Sequence, residues 1–362
     1  MKVIISGGGT GGHLYPALAI GRAYAKKGAE ILYIGSEFGI EKTIMPNQEF
    51  RFELLPVKGF GSKNPLTLVK NANLVRRSTA MAKKLVADFQ PDLIVGTGGY
   101  ASFPVLRAGE ALGVKTLLHE ANAVMGKANK QLAAMCDCLC VTYEETGAQV
   151  KTKKTVLTGM PVRESVVTTT RKDGAAYLDI DEDTLLVTIT GGSQGAHHIN
   201  MAMTEFYKTF DPAAYSKKIL FYHIVGKRNV ADGAAMDYPF VRVKEYEEQM
   251  DKVLARTDVC IGRAGASFLA EIAVDGIASI LVPYPFSGGH QEKNAAYYHR
   301  CGAARMVLDG DMSRDLGPTI EKLLSEEEYR VALGGRMKEE GRPDALERIV
   351  AEGERLVSSV GK

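Results

Sequence analysis

The stretch "ISGGGTGGHLYPALAI" at residues 5–20 decides the fold of this chain, because it joins an apolar run to a helix through a glycine-rich turn. Five of the six residues 7–12 are glycine, and His13 follows directly. Glycine lets backbone N–H groups approach a phosphate, and the start of a helix adds positive potential. The stretch therefore predicts a strand, a turn and a helix that open a parallel sheet and bind an anionic ligand.

Strand and helix patterns alternate along the rest of the chain. Short β-rich runs between helical segments are typical of a parallel sheet with helices on both faces. The predicted strands are 2–6, 30–35, 92–96, 115–120, 138–142, 185–190, 219–225, 240–243, 258–262 and 278–282. The predicted helices include 14–28, with Pro16 in its first turn and Gly28 as its stop, and 102–112, 127–135 and 343–358.

Another glycine-rich turn, "GGSQG" at residues 191–195, restarts the pattern after the strand at 185–190. We therefore predict an α/β fold of two tandem Rossmann-like domains facing a cleft. The expected domains are 1–160 and 161–342, because Gly159 and Pro161 interrupt the periodicity between them. The last segment, 343–362, is expected to form a helix that packs back on the first domain.

Composition excludes several classes of protein. The chain has 362 residues, 45% of them hydrophobic, and a formal net charge of +2, which favours a globular enzyme over a nucleic-acid-binding protein. No apolar run reaches the roughly 18 residues of a membrane span, and no signal peptide is expected before the first strand. The 5 cysteines form no C-x-x-C pair, which favours reduced thiols over metal ligands. The D-x-D patterns at 179–183 and 309–311 are interpreted as surface loops, and neither a metal nor another cofactor is expected.

His13 and a set of polar residues in the second half are the candidates for chemistry. A helix N-terminus disfavours the imidazolium, so His13 is a candidate proton acceptor; the alternative is a structural or helix-capping imidazole. In the second half, each candidate for nucleotide or sugar binding has an ordinary structural alternative, as a turn serine, a surface arginine or a helix-end polar residue. These candidates are Arg163 and Ser193 for a diphosphate, Glu271 for a ribose, and Gln291 and Asn294 for sugar hydroxyls.

The first turn also fits the dinucleotide pattern G-x-G-x-x-G, with Glu37 as the acidic residue after the second strand. Taken alone, this pattern predicts an NAD(P)-dependent oxidoreductase. Two features oppose the oxidoreductase interpretation. The glycine turn at 191–195 opens the other half of the chain, and His13 would crowd a pyrophosphate. A nucleotide in one domain and a second substrate in the other fit the two halves better.

A basic stretch without Asp or Glu spans Leu54–Ala87. It predicts a helix with Asn64 as its N-cap and Pro65 as its first residue. A basic helix with exposed apolar residues suits an anionic membrane surface, whereas the alternative is a solvated positive face. The predicted membrane contacts are Lys63, Leu66, Val69, Lys70, Leu74, Arg76 and Arg77.

A series of stretches, in order along the chain, resembles the MurG family of peripheral bacterial glycosyltransferases of peptidoglycan synthesis. They are "GGGTGGHLYPALAI" (7–20), "GTGGYASFP" (96–104), "HEANAVMGKANK" (119–130), "GMPVR" (159–163), "GGSQGAHHIN" (191–200), "RAGASFLAEIA" (263–273) and "HQEKNA" (290–295). The resemblance implies a GT-B fold that requires no metal. It also implies inverting transfer of N-acetylglucosamine from UDP-N-acetylglucosamine to the C4 hydroxyl of undecaprenyl-diphosphate-linked N-acetylmuramoyl-pentapeptide (lipid I).

The same resemblance implies a place in the cell and roles for individual residues. The enzyme would lie on the cytoplasmic face of the cell membrane, against the anionic inner leaflet, with other cell-wall synthesis proteins as candidate partners. His13 is the implied base, and the acceptor side is implied for Gly98, Gly99, Tyr100 and Glu120 in the first domain. The implied donor contacts are Thr10, Gly11, Gly12, Asn122, Arg163, Ser193, Glu247, Ala266, Ser267, Phe268, Leu269, Ala270, Glu271 and Gln291.

Several positions depart from the family pattern. Met160 replaces an asparagine, Ala121 replaces a glutamine, and Phe268 stands where a threonine is usual, which removes a hydroxyl near the phosphates. Glu247 replaces a hydrophobic residue, in a contact that backbone atoms can make. Two alternatives stay open: a transferase of the same fold acting on another lipid acceptor, such as diacylglycerol, and the NAD(P)-dependent oxidoreductase.

Overall fold

The computed structural model describes residues 1–59 and 65–359, and within 65–70 it describes the backbone alone. The described residues divide into two compact units. Unit 1 is formed by the residues before Arg163 and after Arg342, and unit 2 by Arg163–Arg342. The division lies close to residues 160 and 161, where the sequence analysis places the domain boundary.

Strands and helices alternate through both units. In chain order the strands are β1 (Lys2–Ser6), β2 (Glu30–Ser36), β3 (Arg51–Leu55), β4 (Leu93–Gly96), β5 (Lys115–Glu120), β6 (Cys138–Val141), β7 (Thr155–Leu157), β8 (Leu185–Thr190), β9 (Ile219–Ile224), β10 (Val241–Lys244), β11 (Val259–Gly262), β12 (Ala278–Leu281) and β13 (Ala304–Met306). The helices are α1 (Gly11–Lys26), α2 (Glu41–Ile44), α3 (Pro65–Phe89), α4 (Gly99–Ala111), α5 (Lys127–Ala133), α6 (Glu144–Gly147), α7 (Glu164–Thr168), α8 (Arg171–Leu178), α9 (His197–Thr209), α10 (Met250–Arg256), α11 (Ala266–Asp275), α12 (His290–Arg300), α13 (Met312–Ser325), α14 (Glu327–Glu339) and α15 (Ala345–Ser358).

Each unit is built on one parallel sheet. Sheet 1 has the strand order β3-β2-β1-β4-β5-β6-β7, and sheet 2 has the order β10-β9-β8-β11-β12-β13. In each sheet the first strand of the unit lies inside the sheet, and the strand order reverses beside it. The loops that leave the carboxyl ends of the strands diverge at this switch point, which is where open α/β sheets bind ligands. The predicted α/β class with two Rossmann-like sheets is confirmed.

Both faces of each sheet are covered, which explains why the central strands are apolar along their whole length. In β1, Ile4 packs into the core on one face, whereas Val3 and Ile5 pack on the other face with residues of α1. In β8, Val187 faces one core and Leu186 the other. The sequence therefore specifies strands that are buried on two sides.

Helix α1 begins three residues earlier than the sequence predicts, at Gly11 rather than residue 14. Thr10 is its N-cap, with an extended backbone (φ −141°, ψ 162°), so Gly11 and Gly12 belong to the first turn of the helix and Pro16 lies inside it. The prediction that Pro16 lies in the first turn is wrong. As predicted, the helix stops near Gly28, whose φ is +82°.

The strands that the sequence analysis omits all lie at sheet edges. They are β3, β7 and β13, and each has partly exposed positions. An edge strand contacts only one neighbour and needs fewer apolar residues, so its sequence signal is weak.

Helix α15 packs within unit 1, beside α1. Ile349 and Val350 lie in the core of this unit, and the Tyr24 hydroxyl donates to the carbonyl oxygen of Val350 at 3.2 Å. Gly353 lies so close to Tyr24 that a Cβ there would be 2.0 Å from the Tyr24 hydroxyl oxygen. The close approach of the two helices therefore requires glycine at this position.

We predict opposite effects for two Gly→Ala changes in helices. Gly353→Ala should lower the free energy of unfolding of unit 1 by about 1–3 kcal/mol, because the methyl group overlaps Tyr24. Gly335→Ala in α14 should stabilise unit 2 by about 0.5–1 kcal/mol, because an added Cβ meets nothing within 4 Å and alanine favours the helix. Calorimetry of both variants measures the shifts, and equal shifts of the same sign would contradict this packing account.

Candidate functional site

Two glycine-containing turns meet at the switch point of sheet 1: the first turn (residues 7–12, after β1) and the second turn (residues 97–99, after β4). A Cβ on Gly99 would lie 2.2 Å from the carbonyl oxygen of Gly8, and one on Gly7 would lie 1.8 Å from the Thr97 hydroxyl oxygen. Gly99 also has φ +76°, a conformation that favours glycine. The two turns can therefore touch only through glycine.

His13 is held by the second turn. Its ring Nδ1 lies 3.0 Å from the Thr97 carbonyl oxygen, and the Thr97 hydroxyl donates to the His13 carbonyl oxygen at 2.7 Å. Because a carbonyl oxygen only accepts, Nδ1 carries the proton, and the lone pair of the neutral ring lies on Nε2. This half-buried imidazole has its ring orientation and tautomer set by one backbone carbonyl.

Tyr100 and Glu120, both implied for the acceptor side, have different surroundings. Tyr100 is half-buried at the start of α4, and a Cβ on Gly9 would lie 2.6 Å from its ring. Glu120 is 1% exposed, so its carboxylate lies beneath the surface. It accepts hydrogen bonds from the backbone and side chain of Asn122 at 3.0 and 3.2 Å, and from the Asn129 amide at 2.7 Å.

Asn129 is a site residue that the sequence analysis does not single out. It is buried, bonds to Glu120, and has its amide nitrogen 2.7 Å from where a Cβ of Gly98 would be. It lies inside the quoted stretch 119–130, but nothing in its spacing distinguishes it from a helix-end asparagine. Asn129 thus links the carboxylate of Glu120 to the second turn.

The turn at 191–195 in unit 2 repeats the close approach of backbone to backbone. A Cβ on Gly195 would lie 2.0 Å from the Val225 carbonyl oxygen, and one on Gly226 would lie 2.1 Å from the Gly195 Cα. Ser193 is exposed at the tip of this turn, and its carbonyl oxygen accepts from the Lys227 N–H at 3.4 Å, which fixes the tip from the β9 side. The turn is therefore shaped by glycine contacts and presents a serine hydroxyl outward.

Arg163 and Glu271, which the sequence analysis treats as separate contacts, form one ion pair. The guanidinium donates from Nε to Oε1 at 3.0 Å and from Nη2 to Oε2 at 3.3 Å. The side chain of Arg163 is 47% exposed and that of Glu271 is 14% exposed. Burial raises the pKa of Glu271, and Arg163 opposes that rise. A ligand at this position would therefore meet the pair as a unit.

Gln291 and Asn294 differ although they share a helix. The Gln291 amide oxygen accepts from the N–H groups of Ala264 and Tyr284 at 3.2 and 3.0 Å, so it joins the loops that follow β11 and β12. Asn294 is 0% exposed, and its amide donates to the Ala264 carbonyl oxygen at 3.3 Å. The Asn294 side chain lies in the core, and its predicted contact with sugar hydroxyls stays a prediction.

Glu247 is 7% exposed and points into unit 2. Its carboxylate accepts from the Tyr177 hydroxyl at 2.8 Å, the Tyr222 hydroxyl at 2.6 Å and the Gln249 N–H at 2.8 Å. Burial, together with the bond to Glu247, raises the pKa of Tyr177 to about 12. The carboxylate of Glu247 is thus engaged by protein donors inside unit 2.

Burial increases along the first turn of α11. Leu269 and Ala270 are buried, whereas Ala266, Ser267 and Phe268 are half-buried. The ring of Phe268 packs toward β11, where a Cβ on Gly262 would lie 2.9 Å from it. The departure from threonine thus places an aromatic ring against the strand.

The D-x-D pattern at 309–311 lies in the connection between β13 and α13, and its Asp309 is tied to distant residues. Its side chain is 10% exposed and accepts from Arg263 Nη1 at 2.5 Å, while its other oxygen lies 2.6 Å from His198 Nδ1. These bonds lower the pKa of Asp309 although burial opposes them. Its partners are distant in sequence, so no local pattern indicates this contact.

The described residues contain no group of three His, Cys, Asp or Glu side chains arranged to hold a metal ion. Asp309 in particular has its two carboxylate oxygens engaged by Arg263 and His198.

The predicted membrane stretch corresponds to α3, only part of which can be compared. Lys63 and the predicted N-cap Asn64 lie outside the described residues, as do the side chains of Leu66, Val69 and Lys70. Arg76 and Arg77 are exposed, Leu74 is half-buried, and Ala82 and Val86 pack in the core. Among the helices that the structure describes, none combines the length and apolar character required to cross a bilayer.

Comparisons with known proteins match nearly the whole chain. Residues 3–141 match the glycosyltransferase family 28 N-terminal domain, and residues 186–349 match the glycosyltransferase family 28 C-terminal domain. A relative from Halothermothrix orenii is 35% identical over 97% of each chain. One from Desulfitobacterium hafniense (strain Y51) is 38% identical over 97% of this chain and 98% of its own. Both relatives are named UDP-N-acetylglucosamine–N-acetylmuramyl-(pentapeptide) pyrophosphoryl-undecaprenol N-acetylglucosamine transferase.

Solved structures show the same fold. The crystal structure of Acinetobacter baumannii MurG has a TM-score of 0.81 at 24% identity and covers 98% of this chain and 99% of its own. The calicheamicin glycosyltransferase CalG4 has a TM-score of 0.72 at 12% identity, with 100% and 99% covered.

We predict that Glu247 and Glu271 separate stability from ligand binding. Glu247→Gln should lower the free energy of unfolding of unit 2 by about 1–3 kcal/mol, because the amide nitrogen faces a donor and leaves a buried group unsatisfied. UDP affinity should stay within about threefold, since the side chain lies in the core. Glu271→Gln should instead weaken UDP binding by about tenfold or more, through loss of the carboxylate that accepts from Arg163.

Thermal unfolding and calorimetric titration with UDP measure the two quantities on the same samples. If Glu247→Gln weakened UDP binding as much as Glu271→Gln did, the assignment of the Glu247 side chain to the core would be contradicted.

Proposed function

The chain belongs to glycosyltransferase family 28 and, within it, to the MurG family, and from this premise we propose that it converts lipid I to lipid II. It transfers N-acetylglucosamine from UDP-N-acetylglucosamine to the C4 hydroxyl of undecaprenyl-diphosphate-linked N-acetylmuramoyl-pentapeptide, with inversion at the anomeric carbon. Relatives that carry this activity in their names match 97% of the chain at 35% and 38% identity.

The observation that carries the mechanism is the bond between His13 and the Thr97 carbonyl oxygen. A displacement at the anomeric carbon needs a base for the proton of the attacking hydroxyl. The Nδ1–H of His13 is committed to Thr97, so Nε2 is the ring atom that accepts this proton. The new bond joins the C4 oxygen to the anomeric carbon, while the bond from that carbon to the diphosphate oxygen breaks.

Unit 2 supplies the donor contacts in this proposal. The Ser193 hydroxyl and the backbone of its turn contact the diphosphate, and the start of α11 adds N–H groups and positive potential. The Arg163–Glu271 pair contacts two parts of the nucleotide, the diphosphate and the ribose. Arg163 keeps further N–H donors for the departing diphosphate, while the carboxylate oxygens of Glu271 retain lone pairs for ribose hydroxyls. Gln291 contacts the sugar through its amide nitrogen, because its oxygen holds two loops.

Thr10, Gly11 and Gly12 of the first turn contact the donor sugar in this proposal. A Cβ on Gly12 would have its nearest neighbour 4.0 Å away, so the protein itself does not occupy that space. Asn122 also contacts the sugar, in an orientation set by its bonds to Glu120. Glu120 therefore acts through Asn122 and Asn129.

The acceptor is assigned to unit 1, where Gly98 and Gly99 lie next to His13 and the Tyr100 ring lies against Gly9. The exposed Arg76 and Arg77 on α3 would hold the enzyme at an anionic membrane surface, where an undecaprenyl chain is available. In this proposal the enzyme acts as a peripheral protein at the cytoplasmic face of the membrane.

The departing UDP is stabilised by Arg163 and helix N-termini in this mechanism, so turnover requires no divalent cation. Activity that survives EDTA would support this proposal, and activity restored only by added Mg²⁺ or Mn²⁺ would contradict it.

Acceptor choice separates the proposal from a transferase that acts on another lipid. Purified enzyme with UDP-N-acetylglucosamine should glycosylate a short-chain lipid I analogue and leave diacylglycerol unchanged. Transfer to diacylglycerol alone would overturn the choice of acceptor but leave the donor assignment standing. Stabilisation by NAD rather than by UDP in a thermal-shift assay would overturn the donor assignment as well.

We predict that His13→Ala lowers kcat by about 10²–10⁴-fold, because no other group then accepts the proton at that position. The affinity for UDP should remain near that of the wild type. His299→Ala is the matched control, because His299 is also half-buried and has its Nδ1 3.3 Å from a backbone carbonyl oxygen, that of Ala304. Turnover by His13→Ala close to that of the control would assign His13 a structural role.

A further inference from the structure

We propose that Glu41 is a positioning residue that fixes the first turn and thereby places His13 at the start of α1. The inference rests on the proposed function, because that function assigns the first turn to the reacting sugar and His13 to its proton. No pattern in the sequence singles out Glu41.

Glu41 is a fully buried acidic side chain. It is 0% exposed, and its two carboxylate oxygens accept from backbone N–H groups: Oε2 from Gly9 at 3.0 Å and Oε1 from Ser36 at 3.1 Å. Among the side chains that the structure describes, in residues 1–59 and 71–359, no lysine or arginine forms an ion pair with it. Acidic residues are seldom buried without a cation, so the two backbone N–H groups are what stabilise this carboxylate inside the protein.

Glycine residues make the space that the carboxylate occupies. A Cβ on Gly8 would lie 1.9 Å from Oε1, one on Gly39 would lie 2.0 Å from Oε2, and one on Gly35 would lie 3.0 Å from Cγ. Gly8 occupies a variable position of the G-x-G-x-x-G pattern, and Gly35 and Gly39 lie outside the pattern. Their lack of side chains is therefore explained by Glu41 rather than by a phosphate.

The bond to Gly9 acts at the point where the chain enters α1. Gly9 has φ +83°, and its N–H is held by Glu41 while the ring of Tyr100 lies against its Cα. Thr10 follows as the N-cap, and its carbonyl oxygen accepts from the N–H groups of His13 and Leu14 at 3.2 and 3.1 Å. Fixing Gly9 therefore fixes the first helical residue and the backbone of His13.

Both oxygens of Glu41 face donors, which is why glutamine is an informative replacement. Glutamine has the same size but offers one oxygen and one NH2 group, so either Gly9 or Ser36 loses its acceptor. Glu41→Gln should lower kcat by about 10–100-fold, because a small displacement of reacting groups has effects of this order. The Kd for UDP should change by less than about twofold, since UDP itself is assigned to unit 2.

Exchange of the Gly9 amide proton gives a readout that needs no substrate. In the wild type this N–H is bonded to Glu41 and should exchange slowly, whereas in Glu41→Ala, which removes both acceptor oxygens, it should exchange at least about tenfold faster. NMR of labelled full-length protein measures it. If the wild type transferred no sugar to lipid I, the proposed function would fail, and the exchange result would still test Glu41.

Gly39→Ala provides a second variant that keeps the carboxylate and lies outside the first turn. Its methyl group would displace Glu41, so kcat should fall as it does in Glu41→Gln. The double variant Glu41→Ala/Gly39→Ala should be no worse than Glu41→Ala, because the carboxylate that the methyl group would meet is absent.

Asp137→Asn is the control for loss of a carboxylate in general. Asp137 is half-buried, directly precedes β6, and accepts from the Thr116 N–H of β5 at 2.9 Å. Its kcat should stay within about twofold of the wild type. The proposal is overturned if Glu41→Gln and Gly39→Ala keep wild-type kcat, if Gly9 exchange is unchanged, or if Asp137→Asn loses as much activity.

Discussion

The contact between the two glycine turns of unit 1 is the constraint on which the candidate site depends. Gly99 lies against the Gly8 carbonyl oxygen, and Gly7 lies against Thr97, at distances that exclude any side chain. Because the turns touch, the Thr97 carbonyl oxygen reaches the His13 ring. Gly7 and Gly99 are thus required for packing within the protein, whereas a Cβ on Gly12 would have its nearest neighbour 4.0 Å away.

Buried carboxylates organise the polar groups of both units. Glu41 holds the first turn, Glu120 orients two asparagines, Glu247 fixes a loop through two tyrosines, and Asp309 joins Arg263 to His198. A buried carboxylate is stable only where donors satisfy its oxygens, so each one imposes a defined geometry on its neighbours. Asn122 and the turn at Gly9 are therefore held by acids beneath the surface.

The sequence predicts the fold well because its signals are local. Apolar runs such as Val3–Ile5 and the turns at 7–12 and 191–195 specify buried strands followed by helices. The short edge strands escape prediction because their exposed positions weaken that signal. The start of α1 is misplaced because glycines, read as a turn, form the first turn of the helix.

The site is predicted less completely, because contacts between distant residues leave no pattern. His13 stands out by its place after the glycines, whereas the bond to Thr97 that sets its tautomer comes from a residue 84 positions away. The Arg163–Glu271 pair and the partners of Asp309 are likewise distant in sequence. The helical spacing of Gln291 and Asn294 likewise does not reveal that the two side chains have different surroundings, since only Asn294 is fully buried.

The most direct test of the assigned reaction is transfer of radiolabelled N-acetylglucosamine from its UDP donor to a synthetic short-chain lipid I by the purified chain. We expect a labelled, β-linked disaccharide product and no transfer to diacylglycerol. Absence of that product, with UDP still bound, would contradict the assigned reaction.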